Sequence, residues 1–165
     1  MTNEPDGAAE KRHWLARPLP RIALVLLLVF LALQLVPIRV DNHPVTVEPN
    51  WDSPRTEALF AAACADCHSN QASSAWYEKV APVSWWIKGH VDEGREALNV
   101  SECGTGRGEN VEEDESIETI REGEMPPSYY TMFGLHSGAK LSAAEKDELV
   151  AGLTATAALG CRNVP

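Results

Sequence analysis

Apolar positions fall into two patterns along the chain, one continuous and one periodic. The continuous one comes first. Ile22 to Val36 carries no charge and one polar side chain, Gln34; with Pro37 and Ile38 the stretch reaches 17 residues. That length is at the short end for a membrane-crossing helix and slightly long for the apolar part of a signal peptide. The segment has no polar face, which a core helix of a small domain would show. Arg17 and Arg21 precede it, with Lys11 and Arg12 further back. An excess of bases before an apolar segment places the N-terminus in the cytoplasm. No small-x-small cleavage pattern follows, since Leu33, Leu35 and Val36 are bulky, and no Cys ends the run to accept a lipid. The expectation is an uncleaved single-pass anchor over 22–38, with a cytoplasmic tail of 1–21 and residues 39–165 outside.

The periodic pattern begins after an extended segment. Residues 39–53 hold Pro44 and Pro49 and no repeat of apolar positions, so they read as a linker. Ser53-Pro54 fits a helix start, with Ser at the cap and Pro at the first helical position. That helix carries Leu59, Phe60 and Ala63 on one face and runs into Cys64. Residues 69–75 are polar or small and read as a loop. A second helix is expected from Ser84 to Leu98, with Trp86, Ile87, His90, Val91, Gly94 and Leu98 at helical spacing. Residues 99–112 form a loop. Glu112 to Glu124 is a short acidic helix ending near Gly123, and Met125-Pro126-Pro127 cannot continue it. Ser142-Ala-Ala-Glu145 fits a capping box, followed by an apolar stripe of Leu149, Val150, Leu153 and Ala157. No strand pair or internal repeat appears. Residues 54–165 are therefore expected to form one small all-α domain.

Charge changes the picture in one respect. The chain has 24 acids and 14 Lys/Arg, for a net charge of −10. Residues 22–165 alone hold 21 acids and ten bases, a net of −11, so the acidity belongs to the part after the anchor. Nucleic acid is excluded as a partner, because phosphate binding needs clustered bases.

The chemistry is concentrated in Cys64-Ala65-Asp66-Cys67-His68, a C-x-x-C-H sequence that reads as a c-type haem attachment site. Two thiols about one helical turn apart meet the two vinyl groups on one porphyrin edge. The His after the second Cys lies under the ring and can bind iron. A thioredoxin-like dithiol needs a βαβ surround, and a zinc site needs a second close ligand pair; neither is present. A plain disulfide would leave His68 without a task. The expected cofactor is one covalent haem c. Met125, 57 residues after His68, is the expected sixth ligand, held in a loop stiffened by prolines. His90, His136, Met132 or an open position are the alternatives. Arg95 and Arg121 are considered as partners for the haem propionates, and Trp76, Tyr77, Trp85 and Trp86 as pocket walls. Gly104-Thr-Gly-Arg-Gly108 lacks the Lys-Ser/Thr and strand of a phosphate loop. No nucleophile–base pair points to hydrolysis.

These motifs together resemble a family. Cys64-Ala-Asp-Cys-His-Ser-Asn70, Trp76-Tyr77, Ala81-Pro-Val-Ser-Trp85, His90-Val91 with Gly94-Arg95, Leu98-Asn99 with Ser101-Glu102, and Met125-Pro-Pro127 with Tyr130 are similar to the bacterial haem-binding domain family of small c-type cytochrome-like proteins. The similarity covers about 42–155. It implies a mostly helical, cytochrome c-like fold, covalent haem and a site outside the cytoplasm. Two positions depart from the family pattern: Ala75 stands where Pro is common, and Cys103 where an aromatic is common. Cys103 and Cys161 are then the two cysteines outside the haem motif. In an oxidising compartment they are expected to form a disulfide. The functional expectation is an electron carrier with an unidentified redox protein partner. The alternative is a haem-based gas or redox sensor, or small haem enzyme, with an open distal site.

Overall fold

The computed structural model describes residues 18–73, 75–105, 107 and 113–156. Seven α-helices lie among them: α1 Pro18–Leu33, α2 Pro54–Ala63, α3 Ala65–His68, α4 Val83–Ala97, α5 Glu113–Glu122, α6 Ser128–Thr131 and α7 Ala143–Ala155. Three single 3-10 turns join them, at Trp76–Lys79, Met132–Gly134 and Ser137–Ala139. No β-strand occurs among the described residues; Val47 and Glu102 form one isolated parallel bridge. The expected all-α class is correct.

The helix starts follow local hydrogen bonding. Thr56 N donates to Ser53 Oγ at 3.2 Å, with Pro54 opening α2. Ser142 and Glu145 form the reciprocal cap of α7. Gly123, at φ +79, closes α5 in a conformation that favours glycine.

The apolar segment is helical over a different range from the one expected. α1 starts at Pro18 and stops at Leu33, and Pro37 and Ile38 lie outside it. Just past its end, the Gln34 amide donates back to Phe30 O at 2.9 Å and also clamps Ala81. Gln34 Nε2 donates to Ala81 O at 3.0 Å, and Ala81 N donates to Gln34 Oε1 at 3.1 Å. None of the α1 residues is buried. No helix among the described residues is long and apolar enough to cross a membrane.

The expected linker is part of the domain. Thr46 N donates to Ser101 O at 2.9 Å, and Cys103 N donates to Val47 O at 3.1 Å. Trp51 packs on Phe60, with ring centroids 5.1 Å apart. Two prolines in extended backbone allow this segment to lie along the 99–103 loop, though no periodicity marks it.

The core lies between α2, α5 and α7, built from Leu59, Phe60, Ile117, Ile120, Leu149 and Leu153. Ala157, expected on the α7 stripe, lies outside the described residues. Gly152 lets α7 approach α2. A Cβ there would sit 2.0 Å from Thr56 Oγ1 and 2.9 Å from Thr56 Cβ. Thr56 cannot retreat, because it is buried and its hydroxyl is bonded to Ser53 Oγ at 3.0 Å. Helix propensity favours Gly152→Ala by about 1 kcal/mol. Overpacking opposes it by roughly 1–3 kcal/mol or more. The overlap wins, so Gly152→Ala is expected to lower the midpoint of chemical denaturation; an unchanged or raised midpoint would mean the helices are not in contact here.

Candidate functional site

α2 runs into the haem motif through a bend at Cys64, whose N donates to Phe60 O at 2.8 Å. One further turn follows: Cys67 N and His68 N both donate to Cys64 O, at 3.1 and 2.9 Å. That turn places Cys64, Cys67 and His68 along one cavity of about 390 Å³. Volumes of roughly 300–1,000 Å³ are usual for ligand and cofactor sites. The apolar lining comes from Phe60, Ala63, Leu98, Ile120 and Leu153.

His68 is oriented by the backbone. Its Nδ1 lies 3.1 Å from Leu98 O. A carbonyl only accepts, so Nδ1 carries the proton and Nε2 is left with its lone pair. Burial lowers the His68 pKa, partly offset by backbone hydrogen bonds to Leu98 and Gly94. A neutral imidazole with one nitrogen tied to a carbonyl is what a metal ligand requires.

The Leu98 carbonyl is itself fixed by a polar network. Val100 N donates to His68 O at 3.0 Å. Asn70 N donates to Ser101 Oγ at 3.0 Å, Asn99 Nδ2 to Asn70 Oδ1 at 2.9 Å, and Ser101 N to Asn99 Oδ1 at 3.0 Å. Asn70, Asn99 and Ser101 are all buried and bonded to one another, and Asn70 Nδ2 also donates to Pro44 O and Glu102 Oε1 at 3.3 and 3.1 Å. The Ser-Asn and Asn-x-Ser-Glu pairs of the sequence thus lock the strap that carries the Leu98 carbonyl to the haem motif.

α5 delivers Met125. Glu124 N and Met125 N both donate to Thr119 O, at 2.9 and 3.2 Å, turning the chain after Gly123. Met125, Pro126 and Pro127 line the same cavity as His68. Met125 is 39 % exposed. Of the other ligands considered, only His90 lines the cavity; His136 and Met132 do not.

Several expectations are corrected. Arg95 does not face the cavity. It donates to Ser69 O, Asp41 O and Asn42 Oδ1 at 2.8, 2.6 and 3.0 Å, and so clasps the 39–53 segment to the loop after the motif. Arg121 is exposed and also lies off the cavity. Trp76, Tyr77, Trp85 and Trp86 are not cavity walls either. The aromatic walls are Phe60, Tyr129 and Tyr130. Tyr129 carried no signal in the sequence, and Tyr130 was marked only by the family resemblance. Tyr130 is placed by Asp66, the third residue of C-x-x-C-H: its hydroxyl donates to Asp66 Oδ2 at 2.5 Å. Asp66 also accepts from Ser73 N at 2.8 Å, pinning the following loop. Burial, then the Asp66 bond, push the Tyr130 pKa upward, so it remains a phenol.

The two thiols are free and held protonated. Burial, reinforced by Cys67, raises Cys64 to about 12; burial, then the Asp66 charge, raises Cys67 to about 11. A dithiol oxidoreductase uses the opposite setting, a depressed thiol pKa. Cys103 is 1 % exposed and disulfide-bonded. Its expected partner, Cys161, lies outside the described residues.

Two soft thiols, a neutral imidazole with a free Nε2, and a thioether around an apolar cavity form a donor set that suits haem. Fold and site together define a small helical haem-holding domain. The family model described as the haem-binding domain matches residues 28–155, and the chain belongs to that family. No curated protein and no solved structure is a significant match.

Proposed function

We propose that the protein is a membrane-attached, monohaem c-type cytochrome-like electron carrier working outside the cytoplasm. The observation that carries this reading is the meeting of Cys64, Cys67, His68 and Met125 on one cavity. In this reading the two thiols would hold one haem c through thioether links, and His68 Nε2 and Met125 Sδ would bind its iron. The bound group supplies one-electron ferrous–ferric chemistry. The chain's residues do the rest. The Leu98 carbonyl aims the imidazole, the apolar lining excludes water, and a Met and a His together would raise the reduction potential relative to two His ligands.

Membrane attachment is assigned to α1. The support is a helix that carries no polar side chain after Arg21 and buries none of its residues on the domain. Its 16 residues give about 24 Å of rise, against about 30 Å of hydrocarbon. Such a shortfall is met by local thinning of the bilayer. The disulfide of Cys103 fits an oxidising compartment on the far side. A redox protein is the partner this reading requires.

The test is to produce the full chain together with cytochrome maturation machinery. Haem should stay on the polypeptide through denaturing electrophoresis, and the Cys64→Ser/Cys67→Ser double variant should lose it. Haem released from the parent chain by denaturant would overturn the covalent reading. Met125→Ala should keep covalent haem but lose the sulfur-to-iron charge-transfer band of the oxidised protein. Rapid carbon monoxide binding by the unaltered ferrous protein would instead favour a sensor or small haem enzyme with an open distal site.

A further inference from the structure

The end of α1 and the start of α4 are joined by three hydrogen bonds. Two form the amide clamp between Gln34 and Ala81. In the third, Trp85 Nε1 donates to Val36 O at 3.1 Å. The chain therefore does not hang from its apolar helix on a loose tether. The height and tilt of the haem domain relative to α1 are set at this junction.

Large apolar side chains cluster by position around the same junction. Val83, in the first turn of α4, is 43 % exposed, and Trp86, one turn on, is 51 % exposed. Trp76, which opens the turn leading to Ala81, is 78 % exposed. None of them lines the haem cavity. Contiguous exposed apolar surface on a small domain marks a contact with something else. The occupant follows from continuity with α1. The helix ends at Leu33 and the apolar run continues to Ile38, so in a bilayer the Gln34 amide lies in the stretch, closed by Arg39, over which hydrocarbon gives way to headgroups. Side chains bonded to, or adjoining, residues bonded to Gln34 and Val36 then lie at the same depth. Tryptophan is the residue that prefers this layer, with an apolar body and one N–H donor. The exposed bases Arg39 and Lys79 lie close in sequence to Val36 and Ala81, and anionic headgroups favour positive charge.

We propose that the α4 start of the haem domain, through Trp76, Val83 and Trp86, rests in the headgroup layer of the bilayer. This rests on the attachment through α1 proposed above. One consequence concerns the cofactor. Trp86 packs against His90 and Tyr129, with ring centroids 4.4 and 4.9 Å apart, and both of those line the haem cavity. The cavity wall is then one aromatic ring from the lipid surface, within reach of a redox partner embedded in the same membrane.

The experiment places single spin labels on the full chain in vesicles of phosphatidylcholine and phosphatidylglycerol. Labels are attached at Leu26→Cys in α1, Val83→Cys at the junction, and Asp147→Cys on α7, with the chain lacking an added cysteine as background. Relaxation by oxygen, which partitions into lipid, is compared with relaxation by a water-soluble nickel chelate. The expected order of the oxygen-to-nickel ratio is Leu26 highest, Val83 intermediate and Asp147 lowest. A Val83 label as water-exposed as the Asp147 label, with Leu26 in lipid, overturns the docking while leaving the attachment standing. A Leu26 label that is also water-exposed overturns both.

Discussion

Replacing His68 by alanine is expected to lower the yield of haem-loaded protein by roughly tenfold or more and to abolish the low-spin spectrum of whatever is loaded. The reasoning is geometric. His68 is the one imidazole on the haem motif, its Nδ1 is engaged by Leu98 O at 3.1 Å, and its Nε2 is the nitrogen left for a ligand. Asp66 and Tyr130 line the same cavity but bring only oxygen, and they are bonded to each other. His90, the other imidazole on the cavity, lies on α4 against Trp86 and Tyr129, away from the C-x-x-C-H turn, so it does not take the place of His68 there. The measurement is the absorption spectrum of purified His68→Ala and His68→Gly chains, with and without added imidazole. Imidazole should restore the low-spin bands in the glycine variant, because the removed ring leaves a space of its own shape. A parent-like spectrum in His68→Ala without imidazole would refute the assignment.

The second large effect is at Gly94. It lies on the face of α4 that meets the haem motif, and a Cβ there would stand 2.7 Å from Cys67 O and 3.2 Å from Cys67 Cβ. The obstacle is backbone. It sits in a turn fixed by two hydrogen bonds to Cys64 O and by Val100 N on His68 O. Alanine is favoured over glycine in a helix interior by about 1 kcal/mol, but forcing an atom into a filled contact costs roughly 1–3 kcal/mol and moves the backbone it meets. Gly94→Ala should therefore lower the thermal midpoint by several degrees, since about 1 kcal/mol corresponds to roughly 4–8 °C in a domain near 100 residues. Haem loading should fall with it, because the displaced atoms belong to Cys67. Gly89→Ala provides the control. It is on the same helix, exposed, with no atom within 4 Å of the added Cβ. Only propensity acts there, so Gly89→Ala should stabilise by about 0.5–1 kcal/mol. If the two variants shift the midpoint in the same direction by similar amounts, the close approach of α4 to the haem motif is wrong.

Legibility in the sequence follows the range of the interactions concerned. The starts of α2 and α7 were readable because the cap and the amide it receives are three residues apart, as with Ser53 and Thr56 or Ser142 and Glu145. Gly123 ended α5 for a similar local reason. The C-x-x-C-H motif was readable because its chemistry depends on spacing within one turn. Met125 was legible as a soft donor beside prolines, and the fold does bring it to the His68 cavity. The roles of Arg95 and of the tryptophans were not legible. Arg95 bonds partners 26 and 54 residues away, and nothing in the residues flanking it distinguishes a carbonyl clasp from a propionate partner. Trp85 and Trp86 are adjacent in sequence, yet one bonds Val36 and the other packs edge-on against His90 and Tyr129. Residues 39–53 looked like a spacer because docking against a loop leaves no periodic trace.

By itself, then, the sequence determined the longer helices of the domain, the caps of α2 and α7, the apolar segment and the candidate haem-binding residues, because each depends on contacts within a few residues or on side-chain type. Only the tertiary structure decided which carbonyl aims His68, which glycine admits the haem motif, which aromatics wall the cavity, and that the apolar helix is clamped to the domain through Gln34 and Ala81. Those depend on surfaces that meet only after the chain has closed loops of 26 to 64 residues. The choice among closures is made by packing and by satisfying buried polar groups, which no short stretch of sequence specifies.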